Sequence, residues 1–167
     1  MIFLIIAVVI FIVGFMVLRQ LDQYRWRRYA VERENYFQNH PLQFQGDGLF
    51  NINLPLDRHV QIKLINTFMW KQVKQHYLKK VLIQKEEQRN IHMPRVKVIL
   101  EHIELGYLDQ HYAQQMCQSL SQTDFNVGRP IEVLSEIHVL CDASQAMKCK
   151  ISVDLPKDVS VLINALH

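Results

Sequence analysis

Residue types able to carry chemistry are densest in one short stretch, where Glu101, His102, Glu104, Asp109, His111 and Cys117 crowd together. In an extended strand His102 and Glu104 share a face, and a nearby His111 completes a three-ligand set of the kind that holds zinc through imidazole nitrogens and a carboxylate oxygen. The spacing matches no recurring zinc signature, since neither His-Glu-x-x-His nor His-x-x-Glu-His occurs. Polar residues gathered at a sheet edge explain the cluster better. Cys117 with His111 or His138 makes no catalytic pair by sequence, because Cys117 lies at the rim of an apolar stripe, where a thiol is usually inert. No Gly-rich phosphate loop, nucleophile elbow or dinucleotide fingerprint is present. The sequence therefore assigns no catalytic residue, no cofactor and no metal ligand, and leaves an enzyme unsupported.

The elements that must position these residues begin with Met1 to Leu18, an apolar run with one glycine, Gly14, and no charge. About 18 residues at a rise of ~1.5 Å nearly span a hydrocarbon core of roughly 30 Å, so this stretch is expected to be one membrane helix. Five basic residues follow closely, Arg19, Arg25, Arg27, Arg28 and Arg33, and none precedes the run. By the positive-inside rule the soluble portion is expected in the cytoplasm. A cleaved signal would need a basic n-region and a small-residue cleavage site, and neither is found. Lipidation signals are likewise missing. The layout resembles that of type IV pilins, whose subunits carry an apolar N-terminal helix before a small sheet domain. Their charged leader ending in Gly and their early Glu have no counterpart here, so no family is assigned.

Helical character is expected to continue to about Asn39, since the next residues are good helix formers and the first proline is Pro41. Trp26, Tyr29, Arg33, Tyr36 and Phe37 fall on one face of such a helix, while the arginines point around the cylinder as a collar suited to anionic headgroups. The aromatic face is expected to pack on the chain's own domain or on a partner helix. The organisation read from this is an anchor over 1–18, a basic and aromatic juxtamembrane helix over 19–40, and a soluble α+β domain over 41–167.

Composition agrees with that division. A net charge of +3 with 21% charged residues is too weakly basic for a protein directed at nucleic acid, and five Gly and five Pro leave no room for a flexible linker. The three cysteines, Cys117, Cys141 and Cys149, lack Cys-x-x-Cys spacing, so no zinc ribbon or redox motif is indicated.

Within the domain, alternation around Gly46-Asp47-Gly48 suggests a hairpin from Leu42 to Leu54. Ile65, Met69, Val73, Tyr77 and Val81 repeat at i+4 and suggest a basic helix over most of Asp57–Asn90, with a short strand through Val60, Ile62 and Leu64 as the alternative. Trp70 and Tyr77 read as core, and the lysines of this helix as its solvated face. Val96, Val98 and Leu100 predict a strand that ends or bulges near Glu101-His102, and Leu108 to Leu120 a helix packed on the sheet. Ile131 to Cys141 and Cys149 to Leu155 predict an antiparallel hairpin in which Cys141 faces Cys149, Val139 faces Ile151 and Glu136 opposes Asp154. Asp158 is placed to cap a last helix.

The fold class expected is thus α+β, a single N-terminal transmembrane helix continuing into a juxtamembrane helix and then a mainly antiparallel sheet packed by helices. The function expected is a membrane-anchored binding or assembly module, with the lipid bilayer and a membrane protein as partners. Two alternatives accompany it: a membrane-bound enzyme or metal-binding domain built on His102, Glu104 and His111, and a periplasmic location with a Cys141–Cys149 disulfide.

Overall fold

The computed structural model describes residues 2–68, 75–86, 93–141 and 147–166, excluding the side chains of Ile2, residues 4–10, Gln75, Cys141 and Met147. The chain divides into two compact units, Met1–Asn39 and His40–His167. The first is one helix, α1 (Ile2–Asn39), which ends immediately before His40-Pro41, as the restriction on the residue before proline requires. Among the described residues no helix is long and apolar enough to cross a membrane.

The second unit is an α+β domain. Its strands are β1 (Leu42–Gln43), β2 (Ile52–Leu54), β3 (Gln75–Lys85), β4 (Val96–Leu100), β5 (Ile103–Tyr107), β6 (Ile131–Cys141) and β7 (Met147–Val153). Helices α2 (Arg58–Phe68), α3 (Gln110–Ser119) and α4 (Leu162–Ala165) are interspersed with 3-10 turns at Asp124–Val127 and Val159–Val161. The strand order is β2-β7-β6-β3-β4-β5, with antiparallel neighbours throughout. β1 alone runs parallel, beside the start of β6 at Ile131 and Glu132, where β7 no longer reaches.

The alternation read from the sequence is found in the central strands. Ile131, Val133, Ile137 and Val139 are buried, while Glu132, Glu136 and His138 lie half-buried on the other face. Ser135 sits among the buried set and satisfies its hydroxyl by donating to the Lys79 carbonyl at 2.9 Å. Helix α3 lies on the apolar face with Tyr112, Ala113, Met116 and Cys117 turned inward. It starts at Asp109, whose carboxylate accepts the N–H groups of His111 and Tyr112 at 3.0 and 3.3 Å, an N-cap that satisfies two otherwise orphaned donors. The Tyr112 hydroxyl donates to Pro156 O at 2.7 Å and ties the helix to the chain beyond β7. Asp158 does cap the closing turn, through Ser160 N–H at 3.0 Å, although the helix it leads into is only one turn long.

Four expectations are corrected. The stretch from Asp57 is not one helix, because α2 ends at Phe68 and Tyr77 and Val81 belong to β3. An i+4 repeat is also an even number, so it keeps residues on one face of a strand as surely as on one face of a helix, and the β-branched Val81 and Ile83 favour the strand. Met69, Trp70 and Val73 of that reading lie outside the described residues. The alternative strand through Val60, Ile62 and Leu64 is helix, with Leu64 buried and Ile62 exposed.

The expected Leu42–Leu54 hairpin is replaced by two separate pairings, β1 with β6 and β2 with β7. Its turn is drawn instead onto Asp154, whose carboxylate oxygens accept the Gly48 N–H at 3.1 and 3.2 Å. Gly46 passes so close that a β-carbon there would overlap the Asp154 carboxyl.

The β6–β7 pairing is shifted by two residues, so Val139 faces Cys149, Ile137 faces Ile151 and Glu136 faces Ser152. A shift of two preserves every side chain's face and removes the like-charge opposition of Glu136 and Asp154. In this register Cys149 lies opposite Val139 rather than Cys141, and it is a free, buried thiol, as is Cys117.

Burial pushes the Cys149 thiol up to about 11, and raises that of Cys117 against a small opposing pull from the Lys85 charge. Both should resist alkylation in the native protein. Near neutral pH the shift leaves Cys149 on the order of a hundredfold less thiolate than an unperturbed thiol. Iodoacetamide labelling followed by peptide mass mapping should show both sites slow until urea is added. Rapid native labelling at either would contradict the burial.

Candidate functional site

The wet face of the sheet brings together three groups that the sequence keeps far apart. β3 and β6 pair with His76 directly across from His138 and Leu78 across from Glu136. Residues two apart on a strand share a face, so Glu136 and His138 project side by side, and the cross-strand position of His76 adds the third member. His76 Nε2 lies 2.6 Å from Glu136 Oε1 and His138 Nε2 lies 3.1 Å from Glu136 Oε2. The two imidazole rings are 5.0 Å apart between centroids and inclined by 36°. One carboxylate is thus bracketed by two imidazoles, each through Nε2. Hydrogen bonds from His138 first, and from His76, hold the Glu136 carboxyl below the usual carboxylate range, against the effect of partial burial.

On β6 the site is held by regular ladder on both sides. β6 pairs with β3 on one side and with β7 on the other, where His138 faces Lys150 and Glu136 faces Ser152. Ser152 is occupied in turn by Asn53 of β2, at 3.0 Å. The neighbouring outward positions carry Leu78, Leu134 and Leu140, all exposed. Farther along the same face Lys80 pairs with Glu132 at 2.6 Å.

The sequence-derived cluster is taken apart by the fold. Glu101 and His102 form the tight turn between β4 and β5, Glu104 is exposed on β5, and His111 is exposed in the first turn of α3. Asp109 is the α3 cap, and Cys117 is buried beneath the helix. Among the described residues, His76, Glu136 and His138 are the group whose potential ligand atoms converge, all within 4.8 Å of one another. His102, Glu104 and His111 do not converge. Two of these three residues were legible together, since Glu136-x-His138 on an alternating strand places both on one face. The third was not, because His76 fell in a stretch read as helix.

On α1 the collar residues Arg19, Arg25, Arg27 and Arg28 are exposed and Arg33 is half-buried. Arg28 pairs with Glu32 at 2.9 Å, an i,i+4 bridge. Trp26, 71% exposed, packs edge-to-face on Tyr29 with centroids 6.4 Å apart, and the Arg33 guanidinium lies 5.8 Å over the Phe37 ring. Tyr36 is exposed beside Phe37, at 6.2 Å between centroids. Comparison of the chain with protein-family models, with curated proteins and with solved structures finds no match.

Proposed function

We propose that the chain is a membrane-anchored binding or assembly module, in which residues 1–18 enter the bilayer and the His40–His167 unit works at the cytoplasmic face beside another membrane protein. The observation that carries this reading is the continuity of α1. One helix runs from the apolar stretch straight through the arginine collar and the aromatic positions, without a break at the charge boundary. Each Arg near an anionic surface contributes on the order of 1 kcal/mol of attraction, so five of them favour one orientation strongly. Trp26, Tyr29, Tyr36 and Phe37 supply a contact face on the same helix, and confinement to the bilayer raises the effective concentration of any neighbour it meets.

The reading is tested by fractionation and crosslinking. The full chain should remain in the membrane pellet after an alkaline carbonate wash, whereas a chain beginning at His40 should move to the supernatant. A photoreactive residue at Trp26 or Tyr36 should crosslink to a discrete membrane-protein partner in intact membranes. Full-length protein in the soluble fraction, or crosslinks to lipid alone, would overturn the proposal.

A further inference from the structure

We propose that His76, Glu136 and His138 form a binding site for a divalent transition-metal ion of the zinc class on the outer face of the sheet. Two imidazole nitrogens, which are borderline ligands, with one carboxylate oxygen suit Zn2+ and its neighbours, and the imidazoles disfavour the oxygen-seeking Mg2+ and Ca2+. The inference does not rest on membrane anchoring and stands on the sheet alone.

The geometry argues for more than an exposed ion pair. A single His–Glu contact at a surface is common and contributes little. Here both imidazoles present the same nitrogen, Nε2, to opposite oxygens of one carboxylate, at 2.6 and 3.1 Å. In the metal-free form the bridging particles are the two Nε2 protons. Coordination needs each Nε2 lone pair, so a neutral imidazole moves its proton to Nδ1 through solvent, and a cationic one releases a proton. The ion then takes the place of those protons between the same three groups.

Positioning favours the site as well. The three residues stand on β3 and β6, held by pairing on both sides of β6, rather than on a loop. Their ligand atoms already lie within 4.8 Å, and tetrahedral zinc with bonds of ~2.0–2.1 Å requires separations of roughly 3.3 Å. Side-chain rotation covers that difference without moving the strands. The face is open to solvent, so a fourth ligand, water or a group from a docked molecule, has access. Lys150, on β7 directly opposite His138, is exposed, leaving its ammonium in water.

The test uses the full chain in detergent micelles, metal-free at neutral pH, titrated with Co2+ as a visible probe and then with Zn2+. One equivalent of Co2+ should produce d–d absorption, and one equivalent of Zn2+ should abolish it. Glu136→Gln, His76→Gln and His138→Gln should each weaken binding by at least about tenfold, the loss that even supporting groups of a metal site produce. His102→Gln should bind as the parent does. Far-UV circular dichroism of the metal-free variants checks that they fold. Should one of them not fold, the imidazole NMR signals of the unmodified chain decide, since Zn2+ should shift those of His76 and His138 first. Absence of stoichiometric binding, binding unaffected by all three substitutions, or first shifts at other histidines would overturn the proposal.

Discussion

Leu64→Ala is expected to lower the unfolding free energy of the His40–His167 unit by about 2–5 kcal/mol, a large share of the ~5–15 kcal/mol available to a domain of this size. Leu64 is 0% exposed and is the buried residue of α2, the helix that packs against β5 and β7. Val60, Ile65 and Phe68 pack beside it partly buried, and Gln61 accepts the Cys149 N–H of β7 at 3.3 Å, but Leu64 is the side chain of α2 that is wholly buried. Truncation leaves a cavity beneath α2 against β7, which is paired on both sides, and the edge strand β5, and partial relaxation around it does not recover the lost contacts. Ile62→Ala is the control, since Ile62 is 49% exposed. Urea unfolding should show the Leu64 variant far below the parent and the Ile62 variant within about 0.5 kcal/mol of it. Equal losses at 62 and 64 would mean that the segment is an alternating strand.

That comparison isolates what was legible and what was not. Where the apolar pattern had one period, the sequence sufficed. β4 and β6 alternate cleanly, β7 does so as far as Ile151, and α3 carries its inward stripe. The parity change after Leu100 marked a true boundary, the tight turn at Glu101-His102, with Glu101 in the left-handed region at φ 56°. Where the pattern fitted two periods, propensity decided wrongly. The i+4 spacing through Tyr77 and Val81 belongs equally to a helix and to every second pair of strand positions.

Registers were illegible for a related reason. Pairings of β6 with β7 that differ by two residues bury the same side chains, so only contacts outside the strands separate them. The register found continues past the end of β7, where Asp154 N–H donates to Leu134 O at 2.9 Å, two positions from the pairing that alternation alone suggests. The candidate metal group depended on the same kind of information. Glu136 and His138 were adjacent on one face in any register, but His76 joins them only because β3 pairs with β6 so that residue numbers 76 and 138 meet. A sequence pattern carries no trace of which strand lies beside which when the two are this far apart in the chain.

Asp154 supplies the second large expected effect. Asp154→Ala should cost about 1–3 kcal/mol, because the carboxyl is 2% exposed and accepts the Gly48 N–H through both oxygens. Without it the segment through Gly46 and Gly48 loses the anchor that draws it away from a local hairpin. The charge state adds a pH dependence. Burial raises the Asp154 carboxyl above its ordinary range, the Gly48 N–H opposes this, and the neighbouring Asp47 reinforces it. A carboxyl raised in the folded state holds its proton more tightly there than in the unfolded chain. Its contribution to stability is therefore complete below the ordinary carboxylate range and is lost as pH rises through the raised value. Asp154→Asn keeps an acceptor oxygen and removes the charge, so it should lack this loss. In urea unfolding from about pH 3.5 to 7, the Asn variant should gain on the parent as pH rises, while the Ala variant stays below the Asn variant throughout. A constant difference between parent and Asn across that range would show that Asp154 titrates alike in both states, and an Ala variant equal to Asn would show that the Gly48 contact contributes nothing to the fold.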